Sequence, residues 1–411
     1  MRILHFAPRV SWPLDTGAKL RNYHLGRVLS EKADVTLLAF TDADQPLAAL
    51  ESFYQQVITV PRDKGYTLSK KVRGLFGRTP LTVLNYTTDS MKRALEGVLS
   101  EQAFDIVQVE SVHLVDYFPV ILEAKHRPRV ICDWHNIESE LMVRYSKREP
   151  NMLKRAYAGK TARLMSECER RALQEFDAHI AVSQRDAERL RDLNGAARVF
   201  VIENGVDTAY YAGTPKGSAL AIGSPDSNSK AHRIVFVGSM DYHANIDGAV
   251  SFARDVWPEL HAGHPELIFT IVGRDPAPEV RAQAKNRSIE VTGTIDDVRP
   301  FYREALAAVV PLKVGGGSRL KILEAMAAGV PVVSTTLGAE GLNVHDGADI
   351  LIADSSQQLA EKINSVIASK ELGKRLSVAG LALVSEDYDW SRLGTKLFEI
   401  YRELIRTEQP H

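Results

Sequence analysis

The feature that most constrains this chain is a repeated alternation of short apolar segments with longer helical ones. The apolar segments with the length and composition of buried strands are Ile3–Ala7, Asp34–Phe40, Val57–Val60, Ile106–Glu110, Val130–Asp133 and Ile180–Val182. Strands that are separated by helices form βαβ units and pair in parallel. The alternation therefore predicts an α/β fold in which helices cover both faces of a parallel sheet.

A second alternating series follows a polar interruption. Residues 212–230 are rich in Gly, Ser, Pro and Asn, which is typical of a linker. Beyond it, the predicted strands are Arg233–Val237, Leu267–Val272, Ile289–Val291, Leu306–Val310 and Val330–Ser334. We therefore predict two doubly wound domains, residues 1–205 and 233–388, joined by a linker over 206–232. Ligands of such sheets bind at the carboxyl ends of the strands, so two facing domains would hold a site in the cleft between them.

Composition excludes several classes of protein. The 411 residues carry a net charge of -1, which argues against a dedicated nucleic-acid partner. Two cysteines, Cys132 and Cys168, are too few for a disulfide scaffold or a Cys-rich zinc module, and no histidine cluster has metal-ligand spacing, so no metal is expected. The N-terminus is a poor signal peptide and no apolar run approaches the length of a membrane span, so we expect a cytoplasmic protein.

Positive charge is nevertheless concentrated in two segments. Residues 62–78 carry six basic residues and one acid, and residues 144–163 carry seven basic residues and one acid. Both segments contain apolar side chains among the charges, a pattern that can lie on an anionic membrane surface. The alternatives are two solvated helix faces and, less favoured, a nucleic-acid contact. If the membrane interpretation holds, the protein is peripheral at the inner face of the cell membrane.

The segment with the clearest chemistry is PLKVGGGSRLKILEAMAAGVPVVST, residues 311–335. Three glycines, Gly315, Gly316 and Gly317, permit close approach of the backbone to a ligand, and Ser318 is expected to cap the following helix. A helix N-terminus attracts anions, and Arg319 and Lys321 add positive side chains there. Glu324 lies about one and a half helical turns beyond Ser318, where its carboxylate could accept hydrogen bonds from two hydroxyls of a ribose. Phosphates on the loop and ribose on the acid together indicate a nucleoside diphosphate, whereas the alternative is a surface loop with a Lys321–Glu324 pair.

These residues resemble the donor-site signature of family 4 glycosyltransferases, which have the GT-B fold. Further segments in family order support the resemblance over nearly the whole chain: VIENGVD at 201–207, IVFVGSMDYHANIDG at 234–248, IVGRDP at 271–276 and VTGTIDDVRPF at 291–301. The chain is similar in particular to bacterial sugar transferases of exopolysaccharide and exosortase systems. The resemblance implies two Rossmann-like domains facing a cleft, an N-terminal acceptor domain, a C-terminal donor domain, and a helix at about 389–411 that returns to the N-terminal domain.

The same resemblance implies roles for individual residues. Glu324 would bind the ribose of a nucleotide sugar, and Arg319 and Lys321 would contact its diphosphate. Donor-binding positions near the phosphates, sugar and base would be Gly238, Ser239, Arg274, Ile295, Gly315, Gly316, Gly317 and Ser318. The sequence departs from the family at two places. Gly316 stands where the family has a second glutamate, and Ser239 with its neighbours replaces the usual Arg and Lys after the first donor-domain strand.

The N-terminal half offers candidates for the acceptor side. Gly17 lies in the predicted loop after the first strand, and Glu110 ends the strand Ile106–Glu110. His135 lies just beyond the strand that ends at Asp133, and by resemblance it would contact the sugar or acceptor near the reaction centre. The alternatives are a plain loop glycine, a solvated or capping carboxylate, and a histidine that caps backbone.

The resulting hypothesis is glycosyl transfer from a nucleotide sugar to a saccharide or lipid-linked acceptor in polysaccharide biosynthesis. Retention of configuration is implied by resemblance, with the leaving phosphate assisting deprotonation of the acceptor. Arg319 and Lys321, with His135 orienting and relieving charge, could stabilise the leaving group without a metal. The competing interpretations are a GT-B epimerase or phosphorylase, and a catalytically silent sugar-nucleotide binder, which the glycine at position 316 motivates.

Overall fold

The computed structural model describes residues 1–42, 46–62, 67–212, 232–314 and 319–406. The chain forms two compact units. Unit 1 comprises Met1–Asn204 together with the segment that begins at Trp390, and unit 2 comprises Gly205–Asp389. Each unit is a parallel sheet covered by helices, so the predicted α/β, doubly wound fold class is confirmed.

Unit 1 is built on a seven-stranded parallel sheet. Its strands are β1 (Arg2–Ala7), β2 (Asp34–Thr41), β3 (Gln56–Pro61), β4 (Ile106–Glu110), β5 (Arg129–Trp134), β6 (Ala178–Ala181) and β7 (Val199–Val201), in the order β3-β2-β1-β4-β5-β6-β7. Its helices are α1 (Gly17–Ser30), α2 (Ala48–Glu51), α3 (Leu68–Phe76), α4 (Leu81–Tyr86), α5 (Asp89–Glu101), α6 (Phe118–Leu122), α7 (Glu138–Arg148), α8 (Met152–Glu175), α9 (Gln184–Leu193) and the C-terminal helix Trp390–Arg406, with a 3-10 turn at Val112–Tyr117.

Both faces of this sheet are apolar. Successive residues of a strand point to opposite sides, and apolar residues occupy both sets of positions. Leu4 and Phe6 of β1 belong to one buried cluster, and Ile3 belongs to the other. The second cluster includes Leu397 of the C-terminal helix, which packs beside α1. Gly394 permits this approach, since a Cβ atom there would lie 2.6 Å from Cβ of Val28.

Unit 2 is built on a six-stranded parallel sheet. Its strands are β8 (His232–Val237), β9 (Leu267–Val272), β10 (Ile289–Val291), β11 (Ala305–Val310), β12 (Val332–Ser334) and β13 (Leu351–Ile352), in the order β10-β9-β8-β11-β12-β13. Its helices are α10 (Thr208–Ala212), α11 (His243–Asp255), α12 (Trp257–Gly263), α13 (Pro278–Arg281), α14 (Arg299–Arg303), α15 (Leu320–Ala327), α16 (Ser356–Ala368) and α17 (Lys370–Asp387), with a 3-10 turn at Ala282–Lys285.

Three local differences from the sequence predictions concern candidate site residues or domain bounds. Gly17 is the first residue of α1 rather than part of the loop, because Thr16 caps the helix by accepting from the Lys19 amide. Residues 206–212 belong to unit 2 rather than to a linker, since Val206 is buried in its core and α10 follows. Helix α15 begins at Leu320 with Arg319 in the capping position, one residue later than the predicted cap at Ser318. None of the described helices has the length and apolar content to cross a bilayer.

Candidate functional site

The carboxyl edge of the unit 1 sheet brings two acids together. Glu110 and Asp133 are partners at the ends of the paired strands β4 and β5, and both are fully buried. His135 follows β5 immediately, and its Nε2 lies 2.7 Å from Oε2 of Glu110. The predicted candidates Glu110 and His135 are therefore in direct contact, and the alternative of a solvated Glu110 carboxylate is wrong.

A second histidine completes this cluster. His5 lies on β1, and its Nε2 is 2.7 Å from Oε1 of Glu110, while its Nδ1 is 2.7 Å from the hydroxyl of Tyr54. Burial raises the pKa of Glu110, but His5 and His135 together hold it well below its usual range. Burial opposes charge on His135, yet its hydrogen bond with Glu110 raises the pKa of the imidazole. The arrangement favours a charged His135, which can stabilise negative charge but is a poor general base.

Asp133 has a different partner. Arg21 of α1 donates to both of its oxygens, from Nε at 2.9 Å and from Nη2 at 3.0 Å. One ligand atom each from Glu110, Asp133 and His135 lies within 4.8 Å of the others, a spacing that could hold a metal ion. However, both oxygens of Asp133 already accept from a guanidinium, and both oxygens of Glu110 are bonded to imidazoles. This cluster fits a network of hydrogen bonds and ion pairs better than a metal centre.

The sequence analysis did not identify the further polar residues that hold Glu110 in place through hydrogen bonds. Gln108 is two positions earlier on β4 and therefore on the same face, and its amide donates to Glu110. Tyr401 of the C-terminal helix donates in turn to Gln108. Asn22 of α1 can donate to Oε2 of Glu110 at 3.0 Å when its amide nitrogen faces that oxygen. The alternation of a strand gave a signal for Gln108, but no sequence signal joins it to Tyr401, 293 residues away.

In unit 2, two backbone segments are in close contact where β8 and β9 end. Gly238 follows β8 and donates its amide to Val272 at 2.9 Å. Gly273 follows β9, and a Cβ atom at Gly273 would lie 1.7 Å from the carbonyl oxygen of Gly238. Two bare backbone segments thus lie side by side at the carboxyl edge, which is where ligands bind such sheets.

Four polar side chains continue from this edge. Ser239 accepts from Nε of Arg274 at 2.9 Å, so two predicted donor-binding residues are in contact. Asn245, at the start of α11, donates to the Ser239 carbonyl at 2.8 Å and accepts from Nζ of Lys321 at 2.5 Å. Asn245 was missed because an asparagine in the first turn of a helix is also an ordinary surface residue. It joins the predicted positions Ser239 and Lys321 into one network.

The two predicted cations of α15 have different surroundings. Lys321 lies 5.3 Å from the ring of Phe236, and burial with the neighbouring Arg319 lowers the pKa of its ammonium to about 8. Nζ of Lys321 donates to Asn245, and among the described residues no ion pair joins it to Glu324, although each charge acts on the pKa of the other. Arg319 is 6% exposed and donates to the Glu340 side chain and carbonyl, both at 3.3 Å. The guanidinium is therefore held by an acid.

Glu324 lies half-buried on α15. Burial raises the pKa of its carboxyl, while hydrogen bonding to Tyr211 of α10 and the charge of Lys321 oppose the rise. Ile295, predicted to flank the base, is half-buried just after β10. The predicted positions Gly315, Gly316, Gly317 and Ser318 lie outside the described residues.

Comparison with known proteins agrees with this architecture. The model of the "Glycosyltransferase Family 4" family matches residues 16–210, and that of "Glycosyl transferases group 1" matches residues 231–369. The two matches fall one on each half of the chain. The chain belongs to the family 4, group 1 glycosyltransferases of the GT-B fold, as the resemblance implied.

Curated relatives match parts of the chain. Alpha-maltose-1-phosphate synthase of Mycolicibacterium smegmatis is 29% identical over 257 residues, which are 57% of this chain and 65% of the relative. Phosphatidyl-myo-inositol mannosyltransferase of Mycobacterium leprae is 29% identical over 175 residues, 41% of this chain and 46% of the relative. The match therefore spans about half to two thirds of the length of these relatives.

Solved structures share the fold over nearly the whole chain. Sucrose-phosphate synthase from Thermosynechococcus elongatus has a TM-score of 0.68 at 17% identity, with 99% of this chain and 100% of that chain covered. HepE of Anabaena in complex with UDP has a TM-score of 0.66 at 16% identity, with 98% and 100% covered. At this identity the likeness establishes the GT-B fold.

Proposed function

We propose that this chain transfers a sugar from a nucleoside-diphosphate sugar to an acceptor. The observation that carries the proposal is the shared position of Lys321 and Glu324 on α15, a cation and an acid within one turn of the same helix. Lys321 is bonded through Asn245 to the carboxyl edge at Ser239. The ammonium of Lys321 can bind a diphosphate and the carboxylate of Glu324 can bind ribose hydroxyls, so α15 offers contacts for both parts of a nucleotide.

The proposed chemistry is electrostatic. Departure of a nucleoside diphosphate places negative charge on the leaving phosphate, and donors that are already oriented stabilise it most effectively. Lys321 is such a donor. Arg319 supports it only if a ligand competes with Glu340 for the guanidinium. We propose transfer with retention and without a metal, in which His135 contributes positive charge on the acceptor side and the leaving phosphate accepts the acceptor proton.

A screen of nucleotide sugars tests this proposal. Purified protein is incubated with UDP-, GDP- and ADP-sugars and with candidate saccharide and lipid-linked acceptors, and release of nucleoside diphosphate is measured. Release that depends on an acceptor supports transfer. Release or isomerisation without any acceptor supports an epimerase instead, and binding without turnover supports a silent sugar-nucleotide binder. Glu324→Ala is expected to weaken nucleotide binding severely, and unchanged affinity in the folded variant contradicts the ribose assignment.

For the acceptor side, we propose a saccharide or lipid-linked acceptor that is used at an anionic membrane surface in polysaccharide biosynthesis. The support is a patch on unit 1, formed by the end of α3 and the start of α8. Phe76 is 80% exposed and Leu153 is 83% exposed. The two helices are joined further along α8, where Nζ of Lys160 donates to the Leu75 carbonyl at 2.5 Å. Exposed apolar side chains among basic ones favour an anionic lipid surface over bulk water.

Vesicle binding tests the membrane proposal. The variant Arg73→Gln, Lys154→Gln, Arg155→Gln is expected to sediment less with phosphatidylglycerol vesicles, while neither protein binds phosphatidylcholine strongly. Lys285→Gln, Arg287→Gln removes exposed charge from unit 2 and is the matched control. Equal sedimentation of all three proteins contradicts the proposal. The expected location at the inner face of the cell membrane depends on this result.

A further inference from the structure

Asn245, in the first turn of α11, is a buried polar side chain whose carboxamide is bonded at both ends. It is 4% exposed. Its Nδ2 donates to the Ser239 carbonyl at 2.8 Å, and its Oδ1 accepts from Nζ of Lys321 at 2.5 Å. A buried carboxamide that is satisfied at both ends keeps one orientation, because rotation would leave a polar group without a partner. Asn245 therefore holds the ammonium at a defined point beside the carboxyl end of β8.

The surroundings of this carboxamide fix the ammonium further. Gly238 follows β8 directly, and a Cβ atom there would lie 2.8 Å from Nδ2 of Asn245, so the glycine leaves room for the amide. The ammonium of Lys321 also lies 5.3 Å from the ring of Phe236, whose face attracts a cation. The position of Nζ is thus set jointly by β8, the glycine that follows it, and α11.

The two cations at the start of α15 differ in the charge of their partners. Arg319 donates to the carboxylate of Glu340 at 3.3 Å, and this acid offsets its charge. Lys321 donates instead to the neutral carboxamide of Asn245. An ammonium has three donor hydrogens, so one bond to Asn245 leaves two for phosphate oxygens. That bond orients the ammonium without neutralising it.

We propose that Asn245 is a positioning residue for the diphosphate site, whose carboxamide orients the Lys321 ammonium and, being neutral, leaves the positive charge to the phosphates. This inference rests on the proposed function. An aspartate has nearly the same shape as an asparagine, but it would pair with Lys321 and repel a diphosphate. The residue type at position 245 therefore sets the attraction for anions as well as the geometry of the ammonium.

Two variants separate the orientation of the ammonium from its charge. Asn245→Ala and Asn245→Asp both lose the bond to the Ser239 carbonyl, but only aspartate adds a negative charge beside Lys321. Asn286→Asp is the matched control. Asn286 is exposed just before β10, at the amino edge of the same sheet, and its Oδ1 accepts from the Ser288 amide at 3.0 Å, a bond that aspartate can keep.

The experiment measures affinity for UDP, GDP and ADP at pH 7 by calorimetry, with thermal unfolding as the check that each variant is folded. With the nucleotide that binds wild-type protein best, Asn245→Ala is expected to lose roughly tenfold in affinity, because a hydrogen bond to a charged group is removed. Asn245→Asp should lose roughly a further tenfold, since the phosphates then meet a like charge. Asn286→Asp is expected to retain wild-type affinity. Equal affinities of the two Asn245 variants overturn the role of the neutral carboxamide.

Titration of Lys321 gives a readout that a purely structural role would not change. Burial and the charge of Arg319 lower the pKa of the ammonium to about 8, while Glu324 opposes that shift. The carboxylate in Asn245→Asp should raise this pKa, whereas Asn245→Ala should not. NMR of the lysine ε-carbon signals, assigned with Lys321→Arg, measures it without any nucleotide. An unchanged pKa in Asn245→Asp overturns the inference, whereas a folded wild-type protein that binds none of the nucleotides overturns the proposed function.

Discussion

Arg21 and Asp133 form a bidentate ion pair in which neither side chain is exposed to solvent. Replacing Arg21 with Met leaves a buried carboxylate without its partner, so Arg21→Met is expected to lower the free energy of unfolding by about 3–5 kcal/mol. The measurement is urea denaturation followed by circular dichroism. Arg402→Met, which breaks a surface pair with Glu399 at 3.0 Å, is the control and should cost less than about 1 kcal/mol.

The double variant Arg21→Met, Asp133→Leu distinguishes the cost of the unpaired carboxylate from the cost of lost packing around Arg21. If the cost of the single change is the unpaired acid, removal of that acid as well should recover much of the lost stability. A double variant as unstable as Arg21→Met would mean that packing around Arg21, rather than its charge, is what the fold requires.

Glu110 is expected to control the charge of His135. Its hydrogen bond raises the pKa of the imidazole against the effect of burial, so Glu110→Gln should lower that pKa and leave His135 neutral at a pH where the wild-type ring is charged. Titration of the histidine ring signals by NMR measures this directly. His179 is an internal control, because burial alone lowers its pKa to about 3 and no acid contributes. An unchanged His135 titration in the variant would rule out this role for Glu110.

Lys321 is expected to make nucleotide binding at the proposed donor site depend on pH. With its pKa lowered to about 8, the ammonium loses its proton as the pH rises through that value, and its attraction for a diphosphate is lost with the charge. Affinity of the wild-type protein for nucleoside diphosphate should therefore fall above pH 8, approaching about tenfold per pH unit. An arginine remains charged throughout, so Lys321→Arg should show a flatter profile between pH 7 and 10. Parallel profiles would contradict the contact.

Much of the fold could be predicted from the sequence because buried parallel strands are short, apolar and bounded by turn residues. The predicted strand Ile106–Glu110 agrees with β4 at both ends, and Leu267–Val272 agrees with β9. Strands β7 and β13 were missed. They contain three and two residues, respectively, and so short a segment has no readable periodicity. The equally short β10 was predicted because Gly293 marks its end.

The candidate sites were harder to predict, because their contacts join distant segments. Glu110 and His135 could be placed at one sheet edge from the ends of their strands, but His5 lies inside an apolar strand and gives no such signal. A signal for Arg21 was present: it precedes the buried residues Leu25 and Val28 by four and seven positions, which puts it on the inner face of α1. A buried arginine is uncommon, however, so this position alone does not predict the ion pair with Asp133.

Gly273 is expected to tolerate no side chain. A Cβ atom there would lie 1.7 Å from the Gly238 carbonyl oxygen, so one of two paired backbones must move by more than 1 Å. Gly293 is the matched control: its φ of +72° is left-handed, but nothing lies within 4 Å of an added Cβ. Gly293→Ala should therefore cost only the conformational strain, about 1–2 kcal/mol.

Gly273→Ala should cost clearly more than this control in thermal unfolding. Because the displaced backbone carries Gly238 and Ser239, the variant should also lose affinity for nucleoside diphosphate, whereas Gly293→Ala should lose less. Equal stability and equal affinity of the two variants would mean that the carboxyl edge of the unit 2 sheet can open without cost. The close contact of Gly238 with Gly273 would then have no part in shaping the donor site.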